Sequence, residues 1–139
     1  MRETYRVVGE KTISERAYLD GIVEEDALCW SYWMVDAHSA KRSHARLVFH
    51  KDGKIGSVPL GAMLPKGVGD MLVAGRAVSS DHGANSALRV QASCMAMGQS
   101  AGVVAALAAA RRCDPREVPL ADIKAGLSKI GHIVPVPDL

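Results

Sequence analysis

The chain has 139 residues and a formal net charge of +2, with hydrophobic residues at 48% and charged residues at 23%. One domain around one hydrophobic core is the expectation at this length, and the composition excludes disordered, collagen-like and low-complexity classes. A near-neutral balance and six aromatic residues offer neither the charge nor the stacking platform of a nucleic-acid or anionic-membrane binder.

Cys29, Cys94 and Cys113 are odd in number and lack C-x-x-C spacing. That indicates neither a disulfide framework nor a cysteine zinc site, and it fits a cytoplasmic protein. The first six residues carry acid and base where a secretory leader would be apolar, so nothing directs the chain to export.

From the amino terminus, 2–9 is a β-leaning run closed by glycine. Ser14 is placed to cap a short helix over 15–20, with Glu15 in its first turn and Gly21 as a left-handed stop. The run 28–35, LCWSYWMV, predicts a strand with Trp30 and Tyr32 on one face and Ser31 and Trp33 on the other. Asp52-Gly53 between two β-type runs, 45–50 and 55–60, is the strongest hairpin signal in the sequence. A turn cluster at 65–70 precedes a short apolar run, 71–74, that reads as a buried parallel strand. A polar loop over 76–87 then leads into a long helix from about 88 to 110. Asp114-Pro115-Arg116-Glu117 offers an N-cap, a proline at the first helical position and a box-closing glutamate. The last helix is predicted over 120–130, with Leu120, Ile123, Leu127 and Ile130 on one stripe and Gly131 after it.

The chain thus reads as α/β, or α+β in isolation. A β-rich segment over 1–62 with a hairpin precedes a buried strand, a long helix and a short C-terminal helix over 63–139, all in one compact unit. No charge lies between Val90 and Ala110, and Gly98 and Gly102 match G-x-x-x-G, so the run is long enough to cross a bilayer. It is mostly alanine, interrupted by Gln91, Ser93, Gln99 and Ser100, and supplies little transfer energy. The expectation is therefore a soluble helix buried on all sides.

The strand, loop and helix over 71–110 form the unit that could carry chemistry. Free N–H groups at the helix start favour an anionic or electron-rich group, although small residues there also suit plain helix-sheet packing. Asp36 and His38, two apart on a strand, face one side, either as an oriented pair or as a strand-end turn with an Asx hydrogen bond. His82, in the loop before the helix, is the best acid-base candidate, since imidazole as a group titrates near neutrality; the other reading is a structural or solvent contact. His38, His44 and His50 stand six apart, which matches no ligand spacing, and no metal site is expected. Lys41, Arg42, Arg46, Lys51 and Lys54, opposed by Asp52 alone, make a basic patch around the hairpin, either solvated surface or a docking face.

The stretch PLGAMLPKGVGDMLVAGRAVS (59–79) resembles the "IP-x-x-x-LLPKG-x-x-NLLVAGR-x-IS" stretch of FAD-dependent oxidoreductases of the fumarate-reductase-like, glutathione-reductase-fold group. SCMAMGQSAG (93–102) is similar to that family's "TCMAMGQAAG" helix. Arg2-Glu3-Thr4, Val7-Val8-Gly9-Glu10 and Asp36-Ala37-His38 resemble its "RE-S/T", "IVGEY" and "D-I-H" landmarks in the same order. Two local departures stand out: the family's acidic residue after the histidine is Gly83 here, and its Gly-Ser pair before the helix arginine is Ser86-Ala87. No G-x-G-x-x-G follows any predicted strand, so the pyrophosphate cradle is missing.

The resemblance implies the C-terminal portion of an FAD/NAD(P)-binding fold, which closes over the flavin ring while an N-terminal FAD-binding part or partner subunit grips the dinucleotide. By itself the chain would be incomplete and inactive. Gly75 and Arg76 would lie near the ribityl-phosphate portion of FAD, and Ala87, Leu88 and Arg89 near the pyrimidine edge of the ring. Arg89's other role would be a surface charge or a carboxylate partner near the helix start. His82, with His38 and Asp36, would handle a proton as a small substrate gives hydride to the flavin, and Trp30, Tyr32 and Trp33 could wall the substrate site. The alternative is a non-catalytic remnant, an oligomerising or interaction module without cofactor.

Overall fold

The computed structural model describes residues 5–38 and 44–137. Its helices are α1 (Glu15–Leu19), α2 (His82–Leu88), α3 (Gln91–Arg111) and α4 (Leu120–Lys129). Its strands are β1 (Ala27–Ser31), β2 (Val35–Ala37), β3 (Arg46–Val48) and β4 (Gly56–Pro59), with 3₁₀ turns at Leu60–Ala62, Gly75–Ala77 and Pro115–Glu117. This is the mixed helix-and-sheet class that the sequence implies.

Local capping chemistry sets several boundaries where they were expected. The Ser14 hydroxyl accepts the Ala17 N–H at 3.1 Å, and Gly21 follows α1 at φ +66°. The Asp114 box closes in both directions over Pro115–Glu117. Helix α4 buries Ile123 and Leu127, but Ile130 is its C-cap and is exposed, so the apolar stripe ends a turn early.

The expected hairpin does not form, although its turn does. Lys54 N–H donates to Lys51 O at 3.0 Å with Gly53 at φ +74°. Beyond the turn the two arms part: β3 pairs antiparallel with β2, and β4 pairs antiparallel with β1. The cause lies in the aromatic run 28–35, which is two strands rather than one. The buried Tyr18 hydroxyl accepts the Trp33 N–H at 3.2 Å and lies 3.0 Å from the carbonyl oxygens of Ser31 and Trp33. Backbone groups that would continue the ladder are taken by this side chain, and each half of the broken run finds its own partner. Tyr18 fits there because its ring lies against Gly56, where any Cβ would enter it.

The run 71–74 is not a strand either. Val73 N–H donates to Met63 O at 2.8 Å, but no ladder forms, and Met71 is exposed. The β-leaning run at the amino end, of which 2–4 lie outside the described residues, forms no strand: the backbone over 7–13 bends at 10 and 11 and is stitched on both sides. Glu10 and Lys11 donate to Leu64 O and Gly61 O at 3.0 Å each, while Val7 and Ile13 donate to Ala77 O at 2.9 Å and Ser79 O at 3.1 Å. Among the described residues its bridges are isolated ones, Gly9 with Pro65 and Ile13 with Ser80.

The segment expected as a polar loop, 76–87, contains α2. Arg89 caps that helix, Val90 is extended at φ −71° and ψ 153°, and the long helix starts at Gln91. Helix α3 is not buried on all sides. Ser93, Met97, Ser100, Val104 and Ala108 form one buried stripe at helical spacing, while Met95, Gly98, Gly102, Ala105 and Ala109 are exposed. It also meets the length and hydropathy requirements of a membrane span. Two apolar clusters fill the interior, one around Tyr18, Met63, Leu88 and Met97, the other around Leu28, Val104, Ile123 and Leu127.

Candidate functional site

The kink between α2 and α3 creates a groove of about 690 Å³ beside the amino end of α3, lined by Tyr32, Trp33, Asp36, Arg76, Arg89 and Gln91 among others. Its size is that of a small-molecule site. Val90, the N-cap of α3, lends no side-chain oxygen to the first-turn N–H groups, so the positive end of a 21-residue helix opens here.

Asp36 is the hub of the groove's charges. Arg89 Nη2 donates to the Asp36 carbonyl oxygen at 3.1 Å and to Oδ2 at 3.3 Å, and the His38 Nε2 lies 3.1 Å from Oδ1. The oriented pair at 36 and 38 therefore forms, as period-two geometry on β2 allows. Arg89 is held as well as charged: its side chain is only 17% exposed. Asp36 is tied to α2 by its N–H, which donates to Ser86 Oγ at 3.0 Å, while the Ser86 hydroxyl donates to Gly83 O at 2.7 Å. Ser86, a departure from the resembled pattern, thus fixes the backbone of the site's carboxylate.

Other ties went unseen in the sequence. Asn85 Nδ2 donates to Arg76 O at 3.0 Å and to Ser80 Oγ at 3.3 Å, which holds the Gly75–Ala77 turn, and with it Arg76, against α2. Ser93 Oγ meets Ser31 Oγ at 2.7 Å and so fastens the first turn of α3 to β1 and the Tyr18 hydroxyl. The only sequence signal was a hydroxyl or amide on an otherwise apolar helix face, which marks a buried hydrogen bond without naming its partner.

The remaining expected site residues divide. Gly75 has φ +77°, a conformation that suits glycine, and a Cβ there would meet Cys94 Sγ at 3.7 Å. Arg76 is exposed on the groove rim. Ala87 and Leu88 were expected at the start of the long helix; they form the last turn of α2 instead and are wholly buried in the first core cluster. Trp30 is not among the groove residues, whereas Tyr32 and Trp33 are.

His82 is exposed at the first turn of α2, the opposite end from Arg89. Its electrostatic neighbour is Glu15, whose carboxyl is held below its ordinary range by hydrogen bonds from Arg46, with His82 adding to the effect. A Cβ on Gly83 would coincide with the Glu15 carboxylate, so the glycine makes room for an acid contributed by α1. Asp81 joins the two helices, accepting Ala84 N–H at 2.8 Å and Glu15 N–H at 2.7 Å.

The basic patch is partly neutralised: Arg46 pairs with Glu15 and Lys51 with Asp20, while Lys41 and Arg42 lie outside the described residues. Among the described residues no group of three potential metal ligands converges. Cys29, Cys94 and Cys113 are free thiols; burial pushes Cys29 up to about 12 and also raises Cys94.

The model of a family described as FAD dependent oxidoreductase matches residues 1–127. No curated protein and no solved structure matches the chain.

Proposed function

The chain belongs to the FAD-dependent oxidoreductase family, whose cofactor is FAD, and from that premise we propose that it forms the flavin-ring side of the FAD site. The observation that carries this reading is the groove at the open amino end of α3, with Arg76 and Arg89 on it and Tyr32 and Trp33 as one wall. Cationic side chains and helix N–H groups suit an electron-rich ring edge that gains negative charge on reduction. The donor set fits the ring end of the cofactor, while no Gly-rich cradle for the pyrophosphate occurs in the sequence. A dinucleotide-gripping part, as further chain or as a partner subunit, completes the site in this proposal.

When bound, the flavin supplies a hydride acceptor for oxidation of a small substrate. Arg89, immobilised by Asp36, orients the ring edge. His38 Nε2 lies 3.1 Å from the same carboxylate, which fixes the direction of the imidazole, and in this proposal His38 exchanges a proton with a substrate hydroxyl. His82 is the second proton-handling candidate, placed farther along α2 beside Glu15. Tyr32 and Trp33 exclude water from one side. A cytoplasmic location belongs to the same proposal, supported by three unpaired cysteines.

Purification of the chain alone and with a polypeptide carrying a G-x-G-x-x-G segment tests the reading through flavin absorbance. A yellow complex with the partner is expected; two colourless samples overturn it. A second reading, a non-catalytic module that oligomerises without cofactor, is favoured by the uncharged exposed face of α3. Size-exclusion chromatography of the chain alone separates the two: a colourless, concentration-dependent oligomer indifferent to added flavin and partner supports the module.

A further inference from the structure

We propose that His50 is a positioning residue for this groove: its neutral imidazole props the Tyr32 ring in place as the groove wall, and its protonation releases that wall. Three rings run from the core to the groove. Tyr18, 1% exposed, lies 4.7 Å from His50 between ring centroids at an interplanar angle of 52°, and His50 lies 5.6 Å from Tyr32 at 21°, a stacked geometry. Tyr32 itself is 74% exposed and lines the groove. The inner ring is pinned by its hydroxyl network, so Tyr32 is the member of the stack that can move.

The stack leaves one atom unsatisfied. His50 Nε2 is buried and has no hydrogen-bond partner among the described residues. A neutral imidazole tolerates this as a lone pair facing apolar rings. A protonated one presents an N–H with no acceptor, and burial of an unpaired donor on a charged ring is costly. Among the described residues, the titratable side chains in ring contact with His50 are Tyr18 from α1 and Tyr32 from the segment after β1. The adjacent Lys51 is engaged by Asp20 at 3.0 Å. Burial pushes His50 below the ordinary histidine value, opposed only in part by a backbone hydrogen bond to Tyr18. Relief comes by exposing Nε2 to water, which requires Tyr32 to swing off and takes the wall of the groove with it. Trp33, the next residue on that wall, reports the change. The proposal stands whatever ligand the groove takes.

The test uses the full chain carrying Trp30→Phe, so that Trp33 is the sole tryptophan, and follows acrylamide quenching of its fluorescence from pH 8 to pH 5. Quenching should rise about twofold, with a midpoint below about 6.5. His50→Phe, which keeps a stacking ring but cannot titrate, should hold the low value throughout, and His50→Ala should show the high value at every pH. Flat quenching in the His50-containing chain overturns the proposal. So does an equal rise in His50→Phe, which would assign the titration to a group other than His50. If His50→Ala unfolds by circular dichroism, the contrast between histidine and phenylalanine at position 50 still decides.

Discussion

Helix α3 borders two hollows of opposite character. At its amino end the groove is rimmed by Arg76, Arg89, Asp36 and two aromatic rings. Along its flank a trough of about 490 Å³ is lined chiefly by Ala101, Gly102, Ala105, Ala109, Cys113 and Leu72, with Asp70 as its one charged residue. The first has fixed polar groups that can orient a ligand; the second offers shape and little else. A cavity's volume therefore says less about chemistry than whether its polar groups are immobilised by partners of their own.

The largest expected effect lies at the groove. In the flavin-loaded complex, His38→Ala should slow flavin reduction by roughly 10² to 10⁴ and His82→Ala by much less, as stopped-flow absorbance would show. The reverse order would move proton handling to the far end of α2 and detach it from the groove. Arg89→Ala removes a charged donor and leaves Asp36 with one partner fewer. Flavin affinity measured by fluorescence titration should fall about 10²-fold, and chain stability by about 1.5–3 kcal/mol.

Acid should act on the groove side before the trough. His50 and Glu15 both have native values below their ordinary ones, so the unfolded chain takes up their protons first and stability rises with pH through each interval. The melting temperature should be flat above about 6.5 and fall as pH drops through the lowered His50 value. A second decline should begin below the ordinary glutamate value of 4.5 as the Glu15 contact with Arg46 is lost. Glu15→Gln should lessen the second decline, to which the lowered Asp20 and Asp114 also contribute, and leave the first.

Thiol labelling distinguishes the hollows without a cofactor. Cys113, half-buried on the trough, should react first; Cys94, raised by burial, more slowly; and Cys29, at about 12, only on unfolding. A partner seated in the trough would protect Cys113 alone. The smallest expected effect is that of Ala105→Glu on the exposed face of α3, which should change stability by less than about 0.5 kcal/mol. If α3 self-associates through that face, the same variant should be monomeric on a sizing column.

Features written in neighbouring residues were legible in the sequence. The Ser14 cap, the Gly21 stop, the Asp114 box and the facing of Asp36 and His38 each depend on residues within a turn or two of one another. Pairing across the chain was not. Asp52-Gly53 specified a turn correctly, but which strands its arms joined was decided by Tyr18, whose hydroxyl broke the run 28–35 from a distance no local pattern reveals. Burial of α3 was misread for a related reason: alanine and glycine occupy both its covered and its open face, so composition could not tell them apart. Ala87 and Leu88 changed role because a second helix ended where one long helix was expected to begin. Asn85 lay in no motif, Ser86 stood out only as a departure from the resembled pattern and Ser93 only as the first residue of the resembled helix; their hydrogen-bonding roles come from partners 9, 50 and 62 residues away.

The double stitching of 7–13 bears on the order of events at the ribosome. Ile13 cannot satisfy its backbone until Ser79 and Asp81 have emerged, a delay of about 3 to 13 s at ordinary elongation rates. Through that interval the segment 7–13, VVGEKTI, lacks these partners for its backbone and leaves Val7, Val8 and Ile13 for a holdase chaperone to engage. Slowing translation between 13 and 79 should therefore lengthen chaperone association and lower the soluble yield, although the finished molecule is unchanged.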